Sequence, residues 1–173
     1  MSHTHAPHRI LAGGSGFLGQ ALKTHFEEKG KQVAVLTRHP KKEGEHYWDG
    51  KNPGEWVHLL DGAEVLINLA GKSVDCRYTS KNKARILSSR VDSTTILGKA
   101  IKHCEKPPLV WLNSSTTTIY HDRRGDLPAH TEEEGDVGDD FSMNVAKSWE
   151  KALFDSPTPQ TRKVALRISF VLG

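Results

Sequence analysis

The glycine cluster "GGSGFLG", residues 13–19, constrains the fold of this chain more than any other stretch. It follows a short apolar run, "RILAG" (9–13), and Gly30 closes the segment that comes after it. Apolar residues recur in that segment at helical spacing: Phe17, Leu18, Ala21, Leu22 and Phe26. This order predicts a strand, a tight turn and an amphipathic helix that ends at a glycine.

The glycines satisfy two spacings, G-x-G-x-x-G from Gly14 and G-x-x-G-x-x-G from Gly13, which share Gly16 and Gly19. The first glycine permits a tight turn, the middle one lets backbone N–H groups approach a pyrophosphate, and the last lets helix and strand pack closely. The phosphates would lie at the positive end of the helix dipole. Because the pattern follows a predicted strand and opens a predicted helix, it favours dinucleotide binding over an ordinary turn.

Strand and helix patterns alternate along the rest of the chain. Further strands are predicted at "QVAVLTR" (32–38), "EHYWDG" (45–50), "AEVLINLAG" (63–71), "PLVWLNSST" (108–116) and "RKVALRISFVLG" (162–173). A long helix is predicted over about 80–104, and a shorter one contains "FSMNVAK" (141–147). The alternation predicts an α/β fold with a Rossmann-like, doubly wound parallel sheet of order 3-2-1-4-5-6.

The composition fits one soluble domain over residues 1–173, with 36% hydrophobic residues and a histidine-rich tail at 1–8. We interpret that tail as flexible, and expect no metal site there or elsewhere. The scattered charges sum to only +3, which does not indicate nucleic acid. No apolar stretch approaches the roughly 18 residues of a membrane helix. Cys76 and Cys104 follow no metal-ligand spacing, so we expect free thiols and a cytoplasmic location.

The end of the second predicted strand bears on the choice of cofactor. An NAD-binding protein usually places Asp or Glu about 20 residues after the glycine turn, to bind the ribose 2′-hydroxyl. Here the sequence is "LTRHP", with Arg38 and no acid, and with Lys41 and Lys42 close by. A solvated arginine at a strand end is the alternative. The pattern favours an adenosine 2′-phosphate, and hence NADP rather than NAD.

Three segments, "GGSGFLG", "INLAG" and "NSSTTTIY", occur in this order, and together they resemble the extended, epimerase-like short-chain dehydrogenase/reductase superfamily. Two longer stretches, "VLINLAGKSVDCRYTSKNKARILSSRVDSTTIL" and "GDDFSMNVAKSWEKAL", resemble more closely an atypical subgroup. That subgroup comprises NAD-dependent epimerase/dehydratase family proteins of unassigned substrate. The similarity spans almost the whole chain.

The resemblance implies a set of cofactor contacts at the glycine turn and at the ends of the second, fourth and fifth strands. Carried over position by position, these are Gly13, Ser15, Gly16, Phe17, Leu18, Gly19, Arg38, Leu69, Ala70, Gly71 and the backbone of Ser114. Arg90 lies in the long helix, where related enzymes often have a cofactor-facing asparagine. It is a further candidate for the cofactor site.

The resemblance also implies a catalytic hydroxyl, at Thr116, and a later Tyr-x-x-x-Lys pair. In that pair the phenol transfers the proton, while the lysine lowers the pKa of the phenol and binds the nicotinamide ribose. Lys147 occupies the lysine position, but Met143 occupies the tyrosine position. A thioether has no proton to donate.

Three interpretations of this departure stay open. In the first, Lys147 holds the ribose and Met143 lines an apolar nicotinamide pocket. In the second, another acid, such as Tyr120, replaces the missing phenol. In the third, Met143 is a core residue and Lys147 a solvated surface lysine.

The resemblance predicts an NADP(H)-dependent oxidoreductase or epimerase acting on a small carbonyl or hydroxyl compound. The alternative is a protein that binds the cofactor without catalysis. Extended members grip their substrate with a C-terminal lobe after the sixth strand, and we expect that lobe to be missing here. We therefore expect this chain to bind cofactor weakly and to show no turnover. The expected partner is a small-molecule substrate, with a homodimer as a candidate assembly and neither nucleic acid nor membrane as a partner.

Overall fold

A computed structural model describes residues 8–172 of the chain. The predicted flexible tail falls outside the described residues, apart from its last member, His8. The carbonyl of His8 accepts the backbone N–H of Glu64 at 2.9 Å. This bond joins the start of the described chain to the segment that leads into a central strand.

One sheet of six parallel strands forms the centre of the molecule. The strands are β1 (Arg9–Ala12), β2 (Val33–Thr37), β3 (Glu45–Tyr47), β4 (Val65–Asn68), β5 (Val110–Thr116) and β6 (Arg162–Ile168). Their order is β3-β2-β1-β4-β5-β6, and every neighbouring pair is parallel. The predicted Rossmann-like strand order is confirmed.

Helices cover both faces of this sheet. They are α1 (Phe17–Glu28), α2 (Ser80–Lys102) and α3 (Phe141–Phe154), with short 3₁₀ helices at Glu55–Leu60 and Thr117–Ile119. On one face, the strand residues Leu11, Val35 and Ile67 form a cluster with Leu22 and Phe26 of α1. The central strands β1 and β4 contribute to clusters on both faces, so their apolar residues run almost without interruption, as the sequence predicted.

The other face carries the larger part of the core. Strand residues such as Ile10, Leu66 and Trp111 are completely buried there against Leu97 of α2 and Leu153 of α3. Successive strand residues point to opposite faces, so Ile10 and its neighbour Leu11 belong to different clusters. Burying side chains of this size contributes about 1.5 to 3 kcal/mol each.

The structure differs from the sequence prediction in several elements, of which the third and sixth strands and the first 3₁₀ helix bear most on the fold. The third strand has three residues, and the sixth ends at Ile168 rather than continuing to 173. The 3₁₀ helix Glu55–Leu60 was not predicted, because Pro53 and Gly54 precede it and the segment is too short for helical periodicity. It nevertheless buries Trp56 and Leu60 in the core.

Alternate residues of β6 have different contacts, because only one face of the strand reaches α3. Lys163 donates to the carbonyl of Phe154 in α3, and Arg167 forms an ion pair with Glu150 in the same helix. Val164 and Leu166 alternate with these residues and remain half-buried. The β6 strand is therefore tied to the rest of the fold chiefly through β5 and α3.

The carboxyl ends of the central strands meet at one edge of the sheet. In the register, Ala12 pairs with Leu36 of β2 and with Asn68 of β4, and Asn68 pairs with Asn113 of β5. In open α/β sheets, ligands bind at this edge, where the strand order reverses. None of the helices in the described part of the chain is long and apolar enough to cross a membrane.

Candidate functional site

The glycine turn after β1 is tightly packed at Gly13, Gly14 and Gly19 and open at Gly16. Gly13 has a φ of +73°, and a Cβ there would lie 2.8 Å from the Cα of Ala70. A Cβ at Gly19 would lie 2.2 Å from the carbonyl oxygen of Gly14. At Gly16, by contrast, a Cβ would meet no atom within 4 Å. The turn is thus closed toward the protein and open toward the cleft.

The start of α1 faces this open space without a side-chain cap. Its N-cap residue is Gly16, which can accept no hydrogen bond through a side chain. The first N–H groups of a helix have no partner within the helix and carry the positive end of its dipole. An anion beside Gly16 would satisfy them.

A cleft of about 660 Å³ opens beside the turn. Seven of the predicted cofactor residues line it: Gly13, Ser15, Gly16, Arg38, Leu69, Ala70 and Gly71. The cleft therefore brings together predicted residues from the ends of β1, β2 and β4. The cleft also has walls that the sequence did not indicate, including Trp48, Asp49, Lys51, Arg85 and Ser88.

Three of the predicted residues contribute to the start of α1 rather than to the walls of the cleft. Gly19 packs against Gly14, and Leu18 is half-buried. The Phe17 side chain is 63% exposed and borders a separate shallow groove along α1. In these residues, the backbone N–H groups of Phe17 and Leu18 are the groups that can bind an anion.

Arg38 and Asp49 are two charged residues at the β2 and β3 end of the cleft. Arg38 is exposed and has no ion-pair partner among residues 8–172. The Asp49 carboxylate accepts the backbone N–H groups of Lys51 at 2.8 Å and Asn52 at 2.9 Å, and the amide of Asn52 at 2.7 Å. These bonds, first of all that from the Asn52 backbone, lower the pKa of Asp49. Asp49 is therefore engaged by its own loop, while Arg38 is available to a ligand.

Arg90 supports the loop that follows β4. Its guanidinium donates to the carbonyls of Lys72 at 3.0 Å and Ile86 at 3.1 Å, and its carbon lies 5.0 Å from the ring centre of Trp149. A Cβ at Gly71 would lie 3.2 Å from the same carbon. Burial lowers the pKa of Arg90. The contacts make it a positioning residue for 71–72, and its predicted contact with the cofactor stays a prediction.

A buried polar network holds the ends of β4 and β5 against α2 and α3. The Asn68 amide donates to Asn113 at 2.7 Å and to Thr94 at 3.2 Å, and its oxygen accepts the N–H of Ala70 at 3.1 Å. The Trp149 indole donates to Thr94 at 3.1 Å. Asn68 and Thr94 are completely buried. The network fixes the backbone at Ala70, where Gly13 packs.

The predicted hydroxyl position lies at the end of β5. Thr116 is half-buried, and its hydroxyl lies 3.0 Å from that of Thr118 and accepts the Thr118 N–H. Ser114, two residues earlier, is buried, and its carbonyl accepts the amide of Asn113. Thr116 caps the short 3₁₀ helix with the same oxygen that the resemblance assigns to the substrate.

Met143 and Lys147 are both engaged at the start of α3. The Met143 sulfur accepts the backbone N–H of Asp140 at 3.4 Å, and the Asp140 carboxylate accepts the Met143 N–H at 2.9 Å. Lys147 pairs with the exposed Asp139 at 3.0 Å. The Lys147 ammonium lowers the pKa of Asp139. Met143 thus completes a reciprocal helix cap, in which its sulfur takes the place usually held by Glu or Gln.

Tyr120 belongs to a charged cluster between β5, β6 and α3. Its hydroxyl accepts a hydrogen bond from Arg167, which also binds Glu150 through two N–H groups, each at 2.9 Å. Glu150 accepts the Ser115 hydroxyl at 2.6 Å. His130 stacks on the Tyr120 ring with centres 4.9 Å apart. Tyr120 has its side chain ordered by these contacts and does not line the cleft.

Two features of the sequence point to parts of the site that we did not predict, the helix cap at Met143 and the polar face of α2. Asp140 lies three residues before Met143, which is the spacing of a helix cap. Arg85 and Ser88 are three residues apart and so lie on one face of α2. Nothing in the sequence, however, tells whether that polar face meets solvent or a cleft.

A glycine turn between β1 and α1, at the edge where the strands of a 3-2-1-4-5-6 sheet converge, defines the doubly wound, nucleotide-binding class of α/β domains. The chain belongs to the NAD dependent epimerase/dehydratase family, whose model matches residues 10–143. The family resemblance predicted from the sequence is confirmed.

Relatives of this chain occur in animals and bacteria. It is 30% identical over 168 residues to the human epimerase family protein SDR39U1, covering 95% of this chain and 54% of the relative. It is 31% identical over 170 residues to the epimerase family protein YfhF of Bacillus subtilis, covering 94% of this chain and 54% of that protein. The chain thus spans about half the length of the curated relatives it matches.

The fold also matches a solved structure. The crystal structure of human SDR39U1 (isoform 2) with NADPH superimposes with a TM-score of 0.77 at 30% identity. The match covers 92% of this chain and 52% of the human one. The arrangement of strands and helices described above is therefore shared with that half of the relative.

Proposed function

We propose that this chain binds NADP(H) and serves in an oxidoreductase or epimerase that acts on a small carbonyl or hydroxyl compound. The glycine turn is the observation that carries the proposal. Two of its closed positions, Gly13 and Gly19, pack against Ala70 and Gly14, while Gly16 leaves room for a ligand at the start of α1. The human relative, with 30% identity, was solved with NADPH.

The residues present fit a dinucleotide. The uncapped N–H groups of Phe17 and Leu18 suit its phosphates, and the 660 Å³ cleft continues from there to Arg38 on one side and to Gly71 on the other. Arg38 is free to bind a 2′-phosphate, whereas the acid in the cleft, Asp49, is bound by its own loop. This combination supports NADP over NAD.

A calorimetric comparison of NADPH with NADH tests the proposal. We expect tighter binding of NADPH to the unaltered chain, and a loss of about 10- to 150-fold in Arg38→Ala, because a charged hydrogen bond contributes roughly 1.5 to 3 kcal/mol. Binding of NADH should stay unchanged in this variant. Equal affinity for the two cofactors in the unaltered chain would contradict the NADP assignment.

A bound nicotinamide would supply a hydride donor or acceptor. Within the chain, we assign Thr116 to orient a substrate oxygen and Lys147 to bind the cofactor ribose. Thr116 accepts the Thr118 N–H, and its hydroxyl lies 3.0 Å from that of Thr118, so its proton can go to a substrate oxygen when Thr118 is the donor of that pair. Lys147 pairs with Asp139, an exposed carboxylate from which it can separate at small cost.

Tyr120 is the candidate for the missing proton donor. Its oxygen accepts from Arg167, which leaves its own proton available. The same ordering by Arg167 and His130 would also suit a purely structural tyrosine. Tyr120→Phe in a chain extended to the full length of the relatives separates these roles: a proton donor requires that turnover is lost while Tm is kept, whereas a structural tyrosine requires that Tm falls.

A second candidate function is a protein that binds NADP(H) without catalysis. The specific observation in its favour is Met143, which occupies the usual tyrosine position and is engaged as a helix cap. Oxidation of NADPH across a broad panel of carbonyl compounds distinguishes the two. Binding without any turnover, in a chain extended to the full length of the relatives, would favour the non-catalytic protein.

A further inference from the structure

We propose that Arg85, which lies beside Ser88 on one face of α2, is the cationic wall of the phosphate site and binds the pyrophosphate of the dinucleotide opposite the glycine turn. This inference rests on the proposed function. Both residues belong to α2, three positions apart on one face of the helix, and both line the cleft with Gly13 and Gly16.

A short chain of contacts joins this part of α2 to the glycine turn. Ala70 lies directly against Gly13, where an added Cβ would approach its Cα to 2.8 Å. Two residues later, the backbone N–H of Lys72 donates to the Ser89 hydroxyl at 2.9 Å. The loop at 70–72 therefore connects the turn to the helical turn that carries Arg85 and Ser88. Ile86, beside Arg85, is buried and anchors that part of α2 in the core.

The charge of Arg85 is available to a ligand. Its side chain is exposed, and it forms no ion pair within residues 8–172. The other cations of the cleft differ in this respect: Lys51 lies 3.7 Å from Asp92, and the Lys72 ammonium contacts the carbonyl of Ser73 at 3.4 Å. Arg85 and Arg38 are thus the two unpaired guanidinium groups along the cleft.

A pyrophosphate would bind more tightly with such a group beside it. It carries two negative charges, and "GGSGFLG" offers it only backbone N–H groups and one hydroxyl. Arginine presents several N–H donors in a planar fork that matches phosphate oxygens. Since Arg38 stands at the end of β2, where the 2′-phosphate of NADP is bound in this class of fold, Arg85 is the guanidinium left for the pyrophosphate.

Binding of NADPH, NADH and ADP-ribose to variants of the whole chain tests this assignment. All three ligands contain the pyrophosphate, but only NADPH has the 2′-phosphate. We expect Arg85→Ala to weaken all three by a similar factor of about 10, as for loss of a charge-assisted hydrogen bond. Arg38→Ala should weaken NADPH alone. Arg85→Lys, which keeps the charge but not the fork, should recover part of the loss.

Lys99→Ala is the matched control, because it removes one positive charge from an exposed position on the same helix, away from the cleft. It should leave all three affinities unchanged. Unchanged affinities in Arg85→Ala, or a loss confined to NADPH, would overturn the assignment to the pyrophosphate. A chain that binds none of the three ligands before any substitution would instead refute the proposed function itself.

Discussion

Two glycines in the turn after β1, Gly19 and Gly16, are needed for different reasons, although both are fixed positions of the same sequence pattern. Gly19 lies so close to Gly14 that a methyl group would overlap its carbonyl, whereas Gly16 borders open space. The spacing of the glycines predicted both roles, because the class of fold assigns one glycine to helix packing and one to ligand approach. The distances show which residue has which role here.

Alanine substitutions at these two glycines should separate stability from binding. Gly19→Ala should destabilise the chain by about 1 to 3 kcal/mol, as overpacking against rigid backbone does. Gly16→Ala should change stability by less than about 1 kcal/mol, since its backbone is extended and its surroundings are empty. The same variant should lose NADPH affinity, because the methyl group would occupy ligand space. Urea unfolding and cofactor titration measure the two effects, and equal destabilisation by both variants would contradict this difference.

The partners of the buried polar residues could not be predicted from the sequence. Asn68 and Thr94 interrupt apolar patterns, and neither residue suggested a partner from its own position. Their hydrogen bond joins residues 26 positions apart, so it depends on how β4 and α2 meet. The same limit applies to Arg85, which looks like any solvated helix residue until α2 is placed beside the glycine turn.

The Asn68 network should be essential for the ends of the central strands. Asn68→Leu would remove the donor to Asn113 and Thr94 and the acceptor of the Ala70 N–H. Each buried group left without a partner costs about 1 to 3 kcal/mol, so we expect a total loss above about 2 kcal/mol. Urea unfolding of this variant provides the measurement. A loss below about 1 kcal/mol would mean that the network contributes little.

At the scale of elements, the strands and the three α-helices follow from apolar runs and helical spacing, because the fold buries both faces of its central strands. The parts that were missed are short. The 3₁₀ helix Glu55–Leu60 lacks enough residues to show a period, and β3 pairs through only three residues. The β6 strand ends at Ile168 because Ile168 pairs with Thr116, which is the last residue of β5.

The start of α3 depends on a cap that involves Met143. Asp140→Ala should lower stability by about 1 kcal/mol, since it removes the acceptor of the Met143 N–H. For a chain of this size, that is a fall of roughly 2 to 4 °C in Tm. Asp139→Ala is the neighbouring control: it removes an exposed carboxylate that pairs with Lys147 and should leave Tm unchanged. A larger effect from Asp139 than from Asp140 would contradict the capping role.

The ion pair that joins α3 to β6 should make stability depend on pH. Burial opposes ionisation of Glu150, but hydrogen bonds from Arg167 and Ser115 outweigh it and lower its pKa below the ordinary 4.5. A carboxyl with a lowered pKa stabilises the fold above its unfolded pKa, and the contribution disappears as the pH falls through the folded value. Glu150→Gln should therefore cost roughly 1 to 3 kcal/mol at pH 7, and progressively less as the pH falls below 4.5.

Unfolding in urea at pH 7 and at pH 3.5 checks this dependence. Asp155→Asn provides the comparison, because it breaks an exposed pair with Lys151 in the same helix. That change should stay within about 0.5 kcal/mol at both pH values. A constant difference between Glu150→Gln and the unaltered chain across this range would show that the charge of Glu150 contributes nothing.

At the scale of the whole molecule, the cleft is built from parts distant in sequence: the glycine turn, Arg38, the loop at 69–73 and the polar face of α2. A dinucleotide that contacts all of them should hold the sheet edge and α2 together.

Ligands that bind the folded state alone raise its stability by RT ln(1 + [L]/Kd), which is about 1.4 kcal/mol at ten times Kd. We therefore expect NADPH at that concentration to raise Tm by roughly 3 to 6 °C. NADH at the same concentration should raise Tm less, and Arg38→Ala should reduce the NADPH shift to the NADH value. A shift that is equal for both cofactors would argue against the 2′-phosphate contact, and the absence of any shift at millimolar cofactor would argue against the site as a whole.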